Sequence, residues 1–179
     1  METSGEISLA SRLCLACGMC CDGTVHDFAF LQEDDLAPAS ACGFQTYRRR
    51  DGTPAMTLPC QYLEGNACQR YGQWRPSICG DYMCRLQKRA AAGECDESEA
   101  LGIIATAKAS RKQVEELLRP GESLGQARDR FDSLAATKDV LAPDDAKLVV
   151  RIFVLDRLLD QFFRKAGKGR LPDAQARRA

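Results

Sequence analysis

Cys14-Leu15-Ala16-Cys17-Gly18-Met19-Cys20-Cys21 places four thiols within eight residues. A second set follows at Cys60, Cys68, Cys79 and Cys84, so the two sets hold eight of the chain's ten cysteines. Thiols this dense, in a chain whose start lacks the pattern of a secretory leader, point to metal ligation rather than to disulfides.

The spacing supports that reading. A tetrahedral thiolate site needs four sulfurs about 2.3 Å from a zinc ion. Cys-x-x-Cys lets one turn present two of them, and Gly18 permits the close backbone approach such a turn requires. Cys14 and Cys17 form one such pincer, and Cys17 and Cys20 repeat the spacing. Cys20 and Cys21 are adjacent, and neighbouring side chains diverge, so they are expected to serve different ions. That implies a binuclear or polynuclear centre. The second set has no local closure. Cys60 and Cys68 suit two strands of a tight hairpin, while Cys79 and Cys84 straddle Gly80. These four are expected to complete sites begun by the first four.

Composition sets the wider limits. The 179 residues suffice for one domain or two small packed units. Twenty-five basic and 25 acidic residues cancel, so no broad basic field calls for nucleic acid and no acidic tail for a cationic partner. Thiolates around divalent ions would add negative charge, and Arg48, Arg49, Arg50, Arg70, Arg75 and Arg85 lie in the same half to offset it. Residues 1–13 include Glu2, Glu6 and Arg12 and lack the roughly 7–15-residue apolar core of a signal peptide. No run approaches the ~20 apolar residues of a membrane span. A cytoplasmic protein with reduced thiols is the expectation, without membrane or nucleic-acid partners.

All ten cysteines and all four tyrosines lie at or before Cys95. We therefore divide the chain into a loop-rich cysteine region at 1–95, a helical region at 96–166 and a disordered tail at 167–179. The fold class is α+β. Helices are expected over Glu33–Ala41, Gly80–Ala92, Glu97–Arg119, Ser123–Ala136 and from Pro143 onward. Asp51-Gly52 predicts a hairpin between 45–49 and 55–58, and Gly65-Asn66 a tighter one between 61–63 and 67–70. Leu148, Ile152, Leu155, Leu159 and Phe162, widened by Val149, Phe153 and Phe163, form the apolar stripe of the last helix. The helical region could also take a protein partner.

These residues carry a family resemblance. The chain resembles the CxxCxxCC cysteine-cluster proteins, described as zinc- or iron-chelating domains. The likeness begins with Cys14 to Cys21. It continues through Pro59-Cys60-Gln61-Tyr62-Leu63, Cys68-Gln69-Arg70-Tyr71, Arg75-Pro76-Ser77-Ile78-Cys79 and Cys84. It covers roughly residues 14–84 and leaves the helical region untouched. The resemblance implies that Cys14, Cys17, Cys20, Cys21, Cys60, Cys68, Cys79 and Cys84 are the metal ligands. Where family members often carry Arg after the cysteine matching Cys79, this chain has Gly80. Some related proteins join the cluster to a flagellin lysine methylase. No glycine-rich nucleotide loop follows a strand here, so that activity is not carried over.

Soft thiolates suit zinc and iron–sulfur clusters alike. Cys14-x-x-Cys17-x-x-Cys20 matches three ligands of a ferredoxin-type cluster, but the usual Cys-Pro continuation is missing. The expected cofactor is zinc or iron, with an iron–sulfur redox protein as the alternative. Cys42 and Cys95 read as ordinary thiols. His26 is the single histidine, which leaves hydrolytic catalysis without a nucleophile, base and orienting group. His26, Asp22, Asp27 and Asp81 remain candidates for a supporting role around a metal.

Overall fold

The computed structural model describes residues 7–165. The expected disordered tail at 167–179 lies outside them. The fold is α+β, as the sequence predicts. The first described element is helix α1 (Leu9–Cys17), a helix in place of the single turn expected to present Cys14 and Cys17. Ser8 caps it through its side chain, and Leu13 buries its inner face. Cys14 and Cys17 therefore occupy the last helical turn.

A three-stranded antiparallel sheet follows, formed by β1 (Phe28–Phe30), β2 (Thr46–Arg48) and β3 (Pro54–Thr57), with β3 in the centre. Helix α2 (Glu33–Ala41) connects β1 to β2, and its first turn carries Glu33, Asp34 and Asp35, favourable at the positive end of the helix dipole. The β2–β3 hairpin turns at Asp51-Gly52, where Gly52 has φ +81°. Ala55 and Met56 of β3 are buried, and Met56 packs with Leu31, Ala39 and Phe44 in a small core of its own.

The second hairpin pairs β4 (Leu63–Glu64) with β5 (Ala67–Cys68). Cys68 sits on β5 opposite Leu63, so Cys60 lies in the approach to the hairpin and not on its strand. The helix expected over Gly80–Ala92 is broken. It consists of α3 (Ile78–Asp81) and α4 (Arg85–Ala91), with Tyr82 and Cys84 extended between them. The cause is capping. The Cys84 sulfur accepts from the Gln87 backbone while the Gln87 side chain returns a bond to the Cys84 N–H at 3.0 Å, a reciprocal box that starts a new helix.

Three long helices complete the chain: α5 (Glu97–Glu115), α6 (Leu124–Ala135) and α7 (Pro143–Phe162). Asp96 caps α5, and Ser123 with Gln126 forms a capping box on α6. The helix expected to reach Arg119 ends at Glu115, and the residues after it form turns. Leu148, Ile152, Leu155 and Leu159 of α7 are buried, with Phe163 just beyond. Phe153 departs from the expected stripe. It is 56% exposed, because α5 and α6 both pack on the opposite side of α7. No described helix is long and apolar enough to cross a membrane.

The main core crosses residue 95, joining Leu13, Met19, Val25 and Leu86 to Ile104, Val114, Leu148, Ile152 and Leu155. Polar bonds reinforce that junction. Two fully buried arginines grip the backbone just after Cys21. Arg128 donates to the Thr24 carbonyl at 2.7 Å and pairs with Asp27 and Asp156. Arg164 donates to the Val25 carbonyl at 2.9 Å and pairs with Asp156 and Asp160. Removing one member of such a pair leaves a buried charge without its partner. Arg128→Leu is therefore expected to cost roughly 3–5 kcal/mol in denaturant melts, whereas breaking the more exposed Arg48–Glu33 pair on β2 and α2 should cost at most about 1 kcal/mol. Equal losses would show that the buried network carries no special share.

Candidate metal centre

Gly18 ends α1 in the left-handed region at φ +70°, and its N–H returns to the Cys14 carbonyl at 3.1 Å. The chain then coils tightly, with Cys21 and Asp22 both donating to the Gly18 carbonyl. This coil carries Met19 and Val25 inward to full burial and sets Cys20 and Cys21 beside the helix end. A Cβ on Gly18 would stand 3.0 Å from Asn66 Cα, so the second hairpin rests directly on the motif. The Cys60 N–H donates to the Cys21 carbonyl at 2.7 Å and fixes the second set against the first.

The eight thiols line two adjoining spaces, one touching Cys14, Cys17, Cys20, Cys21 and Cys84 and the other Cys14, Cys20, Cys21, Cys60, Cys68 and Cys79. Burial is the main influence raising the pKa values of Cys14, Cys17, Cys20, Cys21, Cys60, Cys79 and Cys84, and neighbouring thiols add to it. Cys17 is pushed up to about 12 by burial, then by Cys84 and Cys14. Cys20 is raised well above the ordinary range by burial and by Cys84, Cys17, Cys21 and Cys14. Cys17, Cys20 and Cys84 thus lie near Cys14, whose own thiol is raised by burial and by Cys68. Cys21 is pushed up to about 12 by burial and by Cys14, Cys60, Cys79 and Cys68. Burial and then Cys60 raise Cys79 to about 11, with Cys68 adding to it. Cys21 in turn lies near Cys60, Cys68 and Cys79, and Cys60 is raised by burial and by Cys68. Cys20 also feels Cys21, and both line the two spaces together with Cys14.

All eight are free thiols. Among the described residues, no three His, Cys, Asp or Glu side chains close on one point as a finished metal site. The donor set fits a thiophilic ion in kind and number, with two times four sulfurs. The described thiols are neighbours and not a completed coordination shell.

Two cations face the thiols. Burial raises Cys14 and Cys79, and the Arg75 guanidinium works against burial at both. Arg75 also lies over the Tyr71 ring at 4.3 Å. Lys108, on α5, pulls against the burial of Cys17 and donates to the Ala16 carbonyl and to Asn66 Oδ1. Lys108 escaped the sequence reading because it lies beyond the cysteine region. Of the arginines expected to offset charge, Arg48 is instead paired with Glu33, and Arg49 lies over Phe28 and Phe30.

Comparison with known proteins finds no relative. No family model, curated protein or solved structure matches the chain. The CxxCxxCC resemblance thus stands on its motif residues alone.

The remaining candidates have other duties. Asp22 pairs with Arg111 of α5, Asp27 with Arg128, and Asp81 is exposed. Cys95 is buried in the main core, and Cys42 packs near the sheet, where its sulfur accepts from Arg70. His26 lies 2.8 Å from the Tyr82 hydroxyl, with its ring edge-on to the phenol. Burial, then Arg164 and Arg128, hold its pKa down at about 4, against the pull of Asp27.

Two outcomes follow from this geometry. Folded His26 stays neutral down to about pH 4, while the unfolded chain protonates near 6.5. Between those values the unfolded state binds a proton that the folded state refuses, so stability falls as the pH drops. Wild type should lose up to about 3 kcal/mol more than His26→Gln across that window in paired denaturant melts. Parallel curves would count against it. Gly18→Ala should cost at least about 1–2 kcal/mol from its φ alone, with the Asn66 contact added, and wild-type stability in that variant would show that the turn relaxes freely.

Proposed function

We propose that this protein binds metal through two groups of four cysteine thiolates, Cys14, Cys17, Cys20 and Cys84 in one and Cys21, Cys60, Cys68 and Cys79 in the other. The observation that carries the reading is the gathering of all eight motif thiols around two adjoining spaces that share Cys14, Cys20 and Cys21. Residues as distant in sequence as Cys17 and Cys84 fall together. Buried thiols that raise one another's pKa are poor neighbours as protons leave, and a divalent cation reverses this by holding thiolates deprotonated. Four sulfurs per group match the tetrahedral preference of zinc.

Zinc bound there would supply redox-inert cross-linking. The chain's own residues do the rest. The end of α1 presents Cys14 and Cys17, the coil at 18–22 separates Cys20 from Cys21, and the second hairpin brings Cys68. Arg75 and Lys108 offset the negative charge, and burial of Cys17 and Cys84 excludes water. A cytoplasmic setting, which keeps thiols reduced, suits this chemistry.

Elemental analysis on protein purified without oxygen or chelator tests the reading. About two zinc per chain and a colourless solution are expected. Iron with acid-labile sulfide and a broad band near ~400 nm would replace zinc with an iron–sulfur centre. No stoichiometric metal would overturn the reading. Full metal removal should lower the thermal midpoint by at least about 10 °C, with the circular-dichroism loss smaller than for complete unfolding because the α5–α7 core retains its own apolar contacts.

A further inference from the structure

Helices α5 and α6 pack on the side of α7 that buries Leu148, Ile152, Leu155 and Leu159. The opposite side is exposed. Val150, Phe153 and Val154 show 58%, 56% and 45% of their surface there. Single exposed apolar residues are ordinary, but three on neighbouring turns of one helix form a patch.

The patch belongs to a regular row. Lys147, Val150, Val154, Arg157 and Gln161 are all exposed and recur at steps of three, four, three and four. That is the spacing of a seam between two helices, and here it runs for about 21 Å. Its centre is apolar and its ends are polar. Lys147 and Arg157 flank the patch along the row, and exposed Arg151 stands beside it. Arg151 and Arg157 take part in no ion pair among the described residues. The only acids between 147 and 165 are Asp156 and Asp160, and both are turned to the buried arginines Arg128 and Arg164.

Charge selects among the occupants. Residues 166–179 carry Lys168, Arg170, Arg177 and Arg178 against Asp173 alone, so the chain's own tail has the same sign as this face. A second copy of the face would bring two sets of cations together, and like charges facing each other are unfavourable. A bilayer calls for a broader apolar face than three side chains in a row continued by Arg157 and Gln161. An acidic helix meets both requirements, apolar at the centre and negative at the flanks.

We propose that the outer face of α7, from Lys147 to Gln161, docks an amphipathic helix of a partner protein, whose apolar residues cover Val150, Phe153 and Val154 and whose acidic residues pair with Lys147, Arg151 and Arg157. The proposal is independent of the metal reading.

Fluorescence anisotropy tests it on the full chain. The probe is a labelled helical peptide of three heptads with Leu at a and d and Glu at e and g, and its twin has Lys in place of Glu. The Glu peptide should bind saturably with a dissociation constant below about 100 µM, and more weakly as salt is added. The Lys peptide should bind at least about tenfold more weakly. Phe153→Glu and, independently, Arg157→Glu alter exposed side chains. Each should weaken the Glu peptide at least about tenfold while circular dichroism stays unchanged. Failure of the Glu peptide to bind, or equal binding of the two peptides, would overturn the proposal. So would binding that both variants leave intact, because the contact would then lie elsewhere. Self-association in sedimentation that Phe153→Glu abolishes would make the occupant a second copy instead. Binding to phosphatidylcholine vesicles containing phosphatidylserine, with none to the Glu peptide, would make it a membrane surface.

Discussion

Four basic side chains of the helical region hold the backbone from Ala16 to Val25. Lys108 and Arg111 reach it from α5, Arg128 from α6 and Arg164 from just beyond α7, binding the Ala16 carbonyl, the Asp22 carboxylate, the Thr24 carbonyl and the Val25 carbonyl in turn. This segment is a tight coil with few regular backbone bonds of its own, and buried carbonyls must find donors. The helices supply them. Without that grip the motif could still place sulfurs close in sequence, but Cys84, Cys60 and Cys68 would be held around it only by the bonds of Gln87 to Ala10 and of Cys60 to Cys21 and by the hairpin's contact at Gly18. The arginines need burial to act so firmly, and the carboxylates of Asp27, Asp156 and Asp160 make that burial tolerable.

The same constraint explains why the molecule does not divide where its composition changes. Residue 95 separates a cysteine-rich from a cysteine-free stretch, yet Leu13, Met19 and Val25 pack in the same core as Ile104 and Ile152. The sheet keeps a separate small core around Met56 and Phe44. The second hairpin has neither, and its support is the contact at Gly18, the Lys108–Asn66 bond and the bond between Cys60 and Cys21. It is the part of the structure that thiol chemistry would stabilise most.

Much of the architecture was legible locally. Asp51-Gly52 announced its hairpin, Gly65-Asn66 the second, Ser123 its cap, and Pro143 the first turn of α7, because turns and caps are decided by residues within reach of one another. What was illegible depended on distance. Nothing in 80–92 signals a break unless Cys84 is considered as a helix cap, an uncommon role for sulfur. Helix α1 had its own signals, Ser8 and Gly18 at the ends with Leu9 and Leu13 between, but its Cys-x-x-Cys spacing suits a turn as well as a last helical turn. Phe153 satisfied the period of its helix and still faces outward, because periodicity cannot say how many neighbours a helix has. For the site, the clustering of Cys14, Cys17, Cys20 and Cys21 followed from adjacency alone. The grouping of Cys84 with Cys17, and the part of Lys108, required the fold.

The order in which the chain is made gives the arginine grip a further meaning. Synthesis produces the cysteine motif before α7 and Arg164. Phe163 accepts from the Arg85 backbone and Arg164 closes on Val25, so a segment made earlier is enclosed by residues made later. The burial that raises the motif's thiol pKa values in the finished fold therefore depends on chain that does not yet exist when the motif leaves the ribosome.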